Sequence, residues 1–398
     1  MPVSLVQGTP RHRAYVVGSW AVAVVVLVVL PFLKVPLFRG NVGTLNRLTE
    51  ALAFAVAILG LNLLVGFTGQ ISIGHSAFMG IGAYTTVITV ADHHWSYLGS
   101  LVAAVVLSFV VGCFIGLPAL RIRGLYLVVV TFALAIVFPT IVVKFESVTG
   151  GSNGKQAKQK LMPPHWGPFT DDRLGPLRWR YFVCLVAAAV MFLLARNLVK
   201  SRVGRGIVAL RDNPTSATVS GVPVPVYKVL MFGVSAMFGG VAGWMLMVRD
   251  PFASELSYTA ALSITLIVGL VVGGVATISG AVPGALVAVF LAYELQQLTD
   301  KKSLLGVSFK SISTRPGRGG IVDIAFGVLL VVLVFTLPGG VIDGMRRLRA
   351  KVVRVVPRPP WLVRRLAAAA AQGHDRRTPV GEELPFTNTQ PAPEPAVD

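Results

Sequence analysis

The stretch GLNLLVGFTGQISIGHSAFMGIGAYT, Gly60 to Thr85, decides the fold. Apolar sequence leads into it and out of it, and between the two runs Asn62, Gln70, Ser72, His75 and Ser76 stand among glycines. A soluble helix would spread its polar residues along one stripe, whereas here they gather at a break. Polar side chains at membrane depth persist only where they face protein or a water-filled cavity. The pattern therefore reads as two transmembrane helices joined by an interrupted polar segment. Two roles are open to that segment: its polar groups cap helix ends in a tight turn, or they line a solute path. Asn62, Gln70, Ser72 and His75 are the candidates for such a path.

The rest of the chain has the same character. Of 398 residues 54% are hydrophobic and 13% charged, where a soluble domain carries about 25% charged residues. A spanning helix needs about 20 mostly apolar residues. Such runs recur at 14–33, 45–67, 76–91, 97–117, 125–145, 180–196, 227–248, 260–278, 280–299 and 320–337. Backbone polar groups must be satisfied within each segment in lipid, so helices are the expected spanning element. The expectation is an all-α integral membrane protein of about ten transmembrane helices, with the runs at 76–91 and 180–196 short for a bilayer. Ala14 to Leu33 is long enough to span and lacks a small-residue cleavage pattern, so it is expected to be retained as a helix.

Residues 1–13 then form a tail, 14–344 the transmembrane domain and 345–398 a second tail. Ten spans put both tails on one side with the 118–124 and 197–226 loops, and the 146–179 and 300–319 loops on the other. The Lys and Arg bias between the sides is thin, and the basic run after Gly344 favours a cytoplasmic C-terminus. Beyond Pro357 the chain turns rich in Pro, Ala and Arg and ends TPVGEELPFTNTQPAPEPAVD. That composition buries too little apolar surface to order itself, apart from an interfacial stretch around Trp361 to Ala371.

The net charge of +19 does not point to nucleic acid, because the basic residues lie in loops and tails beside apolar runs, where they meet anionic lipid. Cys113 and Cys184 lie inside apolar runs with no partner at ligand spacing and read as packing residues. His75 has no second His or carboxylate at such spacing, so no metal site is expected. Glycine pairs at four-residue spacing recur at Gly112/Gly116, Gly239/Gly243, Gly269/Gly273 and Gly280/Gly284. In lipid such pairs allow close helix contact, here within one subunit, with contact to a second membrane subunit as the alternative for one face.

Residues 201–226 are the most polar stretch between apolar helices, running basic, then acidic, then proline-bounded. Arg205, Arg211 and Asp212 flank a short helical pattern of Ile207, Val208 and Leu210, which can present one apolar face to a partner. A nucleotide site fails by spelling. GGSNGKQ, Gly150 to Gln156, would need glycine at Thr149 and Ser or Thr at Gln156 to form a phosphate loop. No intramembrane nucleophile with a base stands at suitable spacing, which argues against an embedded enzyme. Within the spans only Glu50, Glu294 and Asp323 carry carboxylates, each towards an end of its run, which argues against an ion-coupled carrier.

Gly60 to Thr85 resembles the permeases of branched-chain amino-acid ABC transporters, of the LivM type. GLPALRIRGLYLVVVTFALAIV from Gly116, TGGSNG from Thr149, SRVGRGIVALRDNPTSATVSGVPVPVYK from Ser201 and IVGLVVGGVATISGAVPGA from Ile267 are similar to that family's further motifs, in its order. The resemblance covers most of residues 45 to 340. It implies the ABC importer permease fold in a bacterial inner membrane. It also implies partner ATPase subunits of the LivG/LivF type that bind ATP and Mg, a second permease of the LivH type, and an extracytoplasmic solute-binding protein. It implies further that 201–226 is the loop that docks on the ATPase, with Gly221 at that loop's signature glycine. The acidic and paired-alanine residues usual before that glycine are here Thr215, Ser216, Ala217 and Thr218. For an amino-acid solute the amides around Gly69 to Gly74 would suit the carboxylate. The same architecture serves urea, short amides and, in a sister branch, sugars.

Overall fold

The computed structural model describes residues 42–120, 125–157, 161–163, 174–291 and 340–345, with short pieces at 3–6, 18, 25, 27–32, 303–304, 307–308 and 353–356. It divides into two units. One comprises 1–19 and 350–398, where Val3–Val6 pairs in parallel with Val353–Val356. The other, 20–349, holds the helices. The remainder of both tails, the interfacial stretch near Trp361, most of the run at 14–33 and the run at 320–337 lie outside the described residues.

The helices follow from long apolar runs ended by local stops. They are α1 (Val42–Asn62), α2 (His75–Ala91), α3 (Tyr97–Gly116), α4 (Leu125–Lys144), α5 (Gly175–Lys200), α6 (Arg202–Asp212), α7 (Pro214–Val219), α8 (Val224–Arg249), α9 (Ala260–Gly273) and α10 (Ala281–Leu286). Ser96 caps α3 by accepting the Gly99 amide, and prolines open α5, α7 and α8, where no intrahelical donor is needed. A π-helical turn, Leu63–Phe67, extends α1, and a second, Val287–Leu291, follows α10.

Five of these helices, counting α1 with its π turn, are long and apolar enough to cross a membrane, while α2 and α9 are shorter. The spans expected at 180–196 and 260–278 differ in opposite senses. The first is the 26-residue α5, about 39 Å long at 1.5 Å per residue, which crosses without thinning the bilayer. The second stops at Gly273, because Gly274 takes φ +113° and turns the chain back towards α10. Short paired strands also occur, Lys155–Gln156 with Phe252–Ala253 and Ser303–Leu304 with Val307–Ser308.

Helix α8 sits at the centre, packed by α1, α2, α3 and α5. Glycines let the neighbours approach. Gly112 and Gly116 of α3 lie on Phe232, Gly233 and Ala236 of α8, and Gly239 and Gly243 of α8 lie on Phe78, Met79 and Ala83 of α2. Gly269 and Gly273 of α9 meet Gly280 and Gly284 across the following turn. All four pairs are thus filled from within the chain. The apolar windows of α1 and α8 are 83% and 72% buried, those of α3, α4 and α5 only 22–28%. The outer helices carry unpartnered apolar faces, such as Leu98, Val102, Val106, Val110 and Phe114 at four-residue intervals on α3. Water would penalise such a face and lipid does not.

The loops sort to two ends. At one end Arg249 of α8 pairs with Glu50 of α1, Arg180 of α5 donates to the Arg249 carbonyl at 3.2 Å, and Lys155 reaches Asp92 at 2.5 Å. At the other end lie the close of α1, the turn Pro118–Leu120, α6, α7 and the start of α8. This is the alternation that the loop assignment from sequence requires of 118–124 and 197–226 against 146–179.

Close approach at Gly243 predicts a specific sensitivity. A β-carbon there would run into the Met79 carbonyl and the Ala83 amide, so Gly243→Val should cost about 1–3 kcal/mol by overpacking. It should lower both membrane abundance and the thermal midpoint in detergent. Gly99→Ala, where the added carbon meets only ordinary contacts, should leave both unchanged. Equal behaviour of the two variants would sink the packing account.

Candidate functional site

The break between α1 and α2 starts where the chain widens out of α-helical register into the π turn. The π turn leaves carbonyls without in-helix partners, and Thr68, Gly69 and Gln70 fold back onto Leu64 and Val65: the Gly69 amide donates to Val65 at 3.2 Å and the Gln70 amide to Leu64 at 3.1 Å. Gly69 takes φ +72°, which suits a residue without a β-carbon. From there to Gly74 the backbone is irregular, bending at Ile73, and α2 begins at His75. That start lies deep in the helical unit, since the His75 ring lies against Gly239, well inside α8, and the Ala57 carbonyl of α1 faces it.

Burial along this segment alternates with a reversed sense. Gln70 and Ser72 are buried, while Ile71 is exposed and Ile73 half-buried. In a soluble protein the isoleucines would turn inward. Here the polar side chains face protein and an apolar one faces out, as suits a segment bordering hydrocarbon.

Neighbouring helices satisfy much of the exposed backbone. Thr131 of α4 accepts the Ile73 amide at 3.0 Å and donates its hydroxyl to the Val128 carbonyl at 3.1 Å. Ser263 of α9 accepts the Ser76 amide at 2.9 Å and bonds the Ser76 hydroxyl at 2.7 Å. The Gly74 amide donates to the Ser72 hydroxyl at 3.4 Å. The amides of Gly69, Gln70, Ile73 and Gly74 therefore already have acceptors, so they do not stand open for a carboxylate as the sequence suggested. Thr131 and Ser263 escaped the sequence reading because each is one hydroxyl in an apolar helix.

The four candidate side chains divide. Asn62, fully buried, donates from Nδ2 to the Thr277 carbonyl and accepts the Ala276 amide on Oδ1, both at 2.8 Å. It thereby clamps the turn after α9, where Ala276 holds φ +59°. Gly66 leaves room for that clamp, since a β-carbon there would collide with the Asn62 oxygen and the Ala276 nitrogen. The other three keep spare capacity. Gln70 donates to Thr68 Oγ1 at 3.2 Å, yet its Oε1 is buried without a partner, and both ring nitrogens of His75 are likewise buried and unbonded. Ser72 accepts only the long bond from Gly74. A buried polar atom left unsatisfied costs about 1–3 kcal/mol, so this cluster suits a polar, hydrogen-bonding guest. Among the described residues no group of His, Cys, Asp or Glu could hold a metal ion.

The 201–226 loop comprises two helices in place of the single pattern expected. Ser201 caps α6 through the Gly204 amide, and Asn213 caps α7 through Thr215 and Ser216. Ile207 and Leu210 are buried within the chain, so they anchor α6 and do not form a face for a partner. The free surface is α7, with Thr215, Ser216, Thr218 and Val219 exposed, Val219 at 86%. Gly221 closes α7 with φ +80°: its amide bonds the Thr218 carbonyl and that of Val222 the Ala217 carbonyl, each at 3.0 Å, a left-handed cap. Arg205 is exposed. Arg211, assigned from sequence to a partner interface, turns towards α1 and donates from Nη1 to the Gly66 carbonyl at 3.0 Å, while Asp212 Oδ1 accepts from its Nε and Nη2.

Comparison with known proteins adds to this geometry. A family model described as branched-chain amino acid transport system, permease component, matches residues 43–337. The chain is 26% identical over 285 residues to the high-affinity branched-chain amino acid transport system permease protein LivM of Salmonella typhimurium, covering 67% of each chain, and equally so to LivM of Escherichia coli. A shorter stretch of 128 residues, 32% of this chain and 35% of the relative, is 28% identical to the xylose/arabinose import permease protein XylH of Sulfolobus acidocaldarius. No solved structure matches the chain.

The Asn62 clamp is open to a double-mutant cycle. Asn62→Ala should lower the thermal midpoint of the purified protein, at about 1 kcal/mol or more for each lost hydrogen bond. Ala276→Gly relieves left-handed strain of roughly 1 kcal/mol and should recover part of that loss when combined with it. Native-like stability of Asn62→Ala with abolished solute uptake would instead place Asn62 on the solute path.

Proposed function

The chain belongs to the family of branched-chain amino acid transport permeases, and on that premise we propose that it is the membrane-spanning subunit of an ATP-driven importer for branched-chain or related amino acids. The chain itself is a multi-pass membrane protein whose relatives are transport components, not enzymes. The observation that carries the reading is the break at Thr68–Gly74, an irregular segment within the helical unit whose polar side chains point inward with hydrogen-bonding capacity unspent. Gln70, Ser72 and His75 border the solute path. Asn62 shapes it from behind by fixing the turn after α9. These groups are uncharged donors and acceptors, which suits a small zwitterion whose charges largely offset each other.

Energy comes from separate ATPase subunits that bind ATP and Mg and receive α7, with Gly221 fixing where that helix ends. A second permease, of the LivH type, completes the pathway, and an extracytoplasmic binding protein delivers the solute and sets much of the specificity. The C-terminus lies in the cytoplasm. The same uncharged lining also suits urea or a short amide, and competition by these solutes against leucine uptake decides between them. An ion-coupled carrier is less well supported, since Glu50 is paired with Arg249.

Reconstitution tests the reading. Vesicles holding the permease pair and its ATPases should accumulate labelled leucine only with ATP and the binding protein, and uptake without ATPase subunits would overturn the importer reading. Gln70→Leu should leave membrane abundance and ATPase association intact while lowering uptake on the order of tenfold, equivalent to about 1.4 kcal/mol. A parallel fall in abundance would make the residue structural.

Sidedness has its own test. In a background lacking Cys113 and Cys184, a cysteine replacing the exposed Ser152 should react with an impermeant thiol reagent in intact cells, and one replacing the exposed Ser216 should not. Reversed labelling would remove α7 from the cytoplasm.

A further inference from the structure

We infer that Arg211 is the mechanical link between the ATPase-docking helices and the break in the membrane domain. The inference rests on the importer reading above and goes beyond it by naming the residue through which movement of α6 and α7 reaches the solute path.

The geometry is specific. Gly66 lies in the π turn that ends α1, and its natural helical acceptor role is lost because the Gln70 amide bonds Leu64 instead. The Gly66 carbonyl is taken by Arg211 Nη1 at 3.0 Å, across 145 residues of sequence. Asp212 Oδ1 holds the rest of the guanidinium, accepting Nε at 3.0 Å and Nη2 at 2.9 Å, so the fork is oriented towards α1 before any partner arrives. The stem of Arg211 lies over Gly69, where a β-carbon would come within 3.1 Å of its Cγ. One side chain on the last turn of α6 thus grips both ends of the tight bend Gly66–Gly69 that starts the break. The same bend packs on the Ala276 turn held by Asn62.

Helix α6 cannot move freely against its own surroundings. Ile207 and Leu210 are buried, Gly206 lies on the Tyr227 ring at the start of α8, and Gly204 lies on the Val199 carbonyl at the end of α5. A push on the exposed α7 therefore travels with α6 and is delivered where Arg211 reaches α1. Beyond that bend lies the segment carrying the unsatisfied Gln70 and His75, which has fewer internal bonds to resist displacement.

A cation at the carboxyl end of a helix also serves as a simple cap, and the two roles predict different results. A cap affects how much protein folds. A link affects how much solute moves for each ATP hydrolysed. The test uses the full complex of permease pair, ATPases and binding protein in proteoliposomes, comparing wild type with Arg211→Gln, Arg211→Lys and Val219→Asp. Arg211→Gln should assemble with the ATPases and hydrolyse ATP at the basal rate. It should lose stimulation by the loaded binding protein, and solute imported per ATP should fall on the order of tenfold. Arg211→Lys, which can donate to Gly66 but cannot hold the bidentate pair with Asp212, should recover part of that ratio. Val219→Asp should lose the ATPases themselves.

Wild-type import per ATP in Arg211→Gln would overturn the link, as would a fall in import that merely tracks the amount of assembled complex. Loss of ATPase association in Arg211→Gln would overturn it as well and return the residue to the docking interface. Failure of the importer reading looks different, because wild type itself would then show no ATPase-dependent uptake.

Discussion

A helix interrupted inside a packed helical unit must hand its freed backbone groups to some other part of the protein, and the structure around residues 62–76 and 274–280 is organised by that demand. Buried groups such as Asn62, Ser72 and Ser76 need partners from the protein itself. Four side chains from four other places in the chain therefore converge on the break, Asn62 from the helix before it, Thr131 from α4, Ser263 from α9 and Arg211 from α6, and Thr68 joins them from within. Each satisfies a named donor or acceptor. The break can exist only because α4, α6 and α9 are folded around it, so the local irregularity is a property of the whole helical unit.

The same demand explains the distribution of glycine. A partner helix can reach into a break only if backbones come close, and Gly82 against Gly240, Gly243 against the Met79 carbonyl and Gly269 against Gly284 show α8 and α9 seated directly on their neighbours' main chains. In lipid there is little hydrophobic drive for helices to associate, so close van der Waals contact and hydrogen bonds between helices must supply it. The central α8 satisfies both needs. Its Gly239 and Gly243 face α2, its Gly233 and Gly240 face α3, and its Ser235 donates to the Gly60 carbonyl at 2.9 Å.

Much of this was legible in the sequence, and the parts that were not share a cause. Apolar runs located α1 to α4 and α8 well, because length and hydropathy are local properties. Polar residues among glycines marked the break, and a glycine after a polar helix marked the left-handed cap at Gly221. Which way a polar group points depends on residues far along the chain. Asn62 read as a candidate for the path, but its amide is spoken for by a turn more than two hundred residues later. Ile207 and Leu210 read as a face for a partner, yet that face packs inward, and the exposed surface is the less apolar α7. Two short helices joined at Asn213 were hidden behind one helical pattern, because the cap that separates them is a single side chain.

Rigid and loose parts are separated along one line. Helices α1 and α8 are buried and bonded to each other at both ends, by the Arg249–Glu50 pair and by Ser235 on Gly60. They form a frame that resists movement. The segment Thr68–Gly74 has no internal ladder, takes its outside bonds only from the end of α1 and from Thr131 of α4, and leaves the Gln70 side-chain oxygen unsatisfied, which places it at the low end of local stability. On the proposed importer reading, movement has to happen where solute passes and has to be started from the surface that meets the ATPase. A weakly held segment touched by α6 would meet both conditions, and among the described residues Arg211 on Gly66 is the contact that joins them.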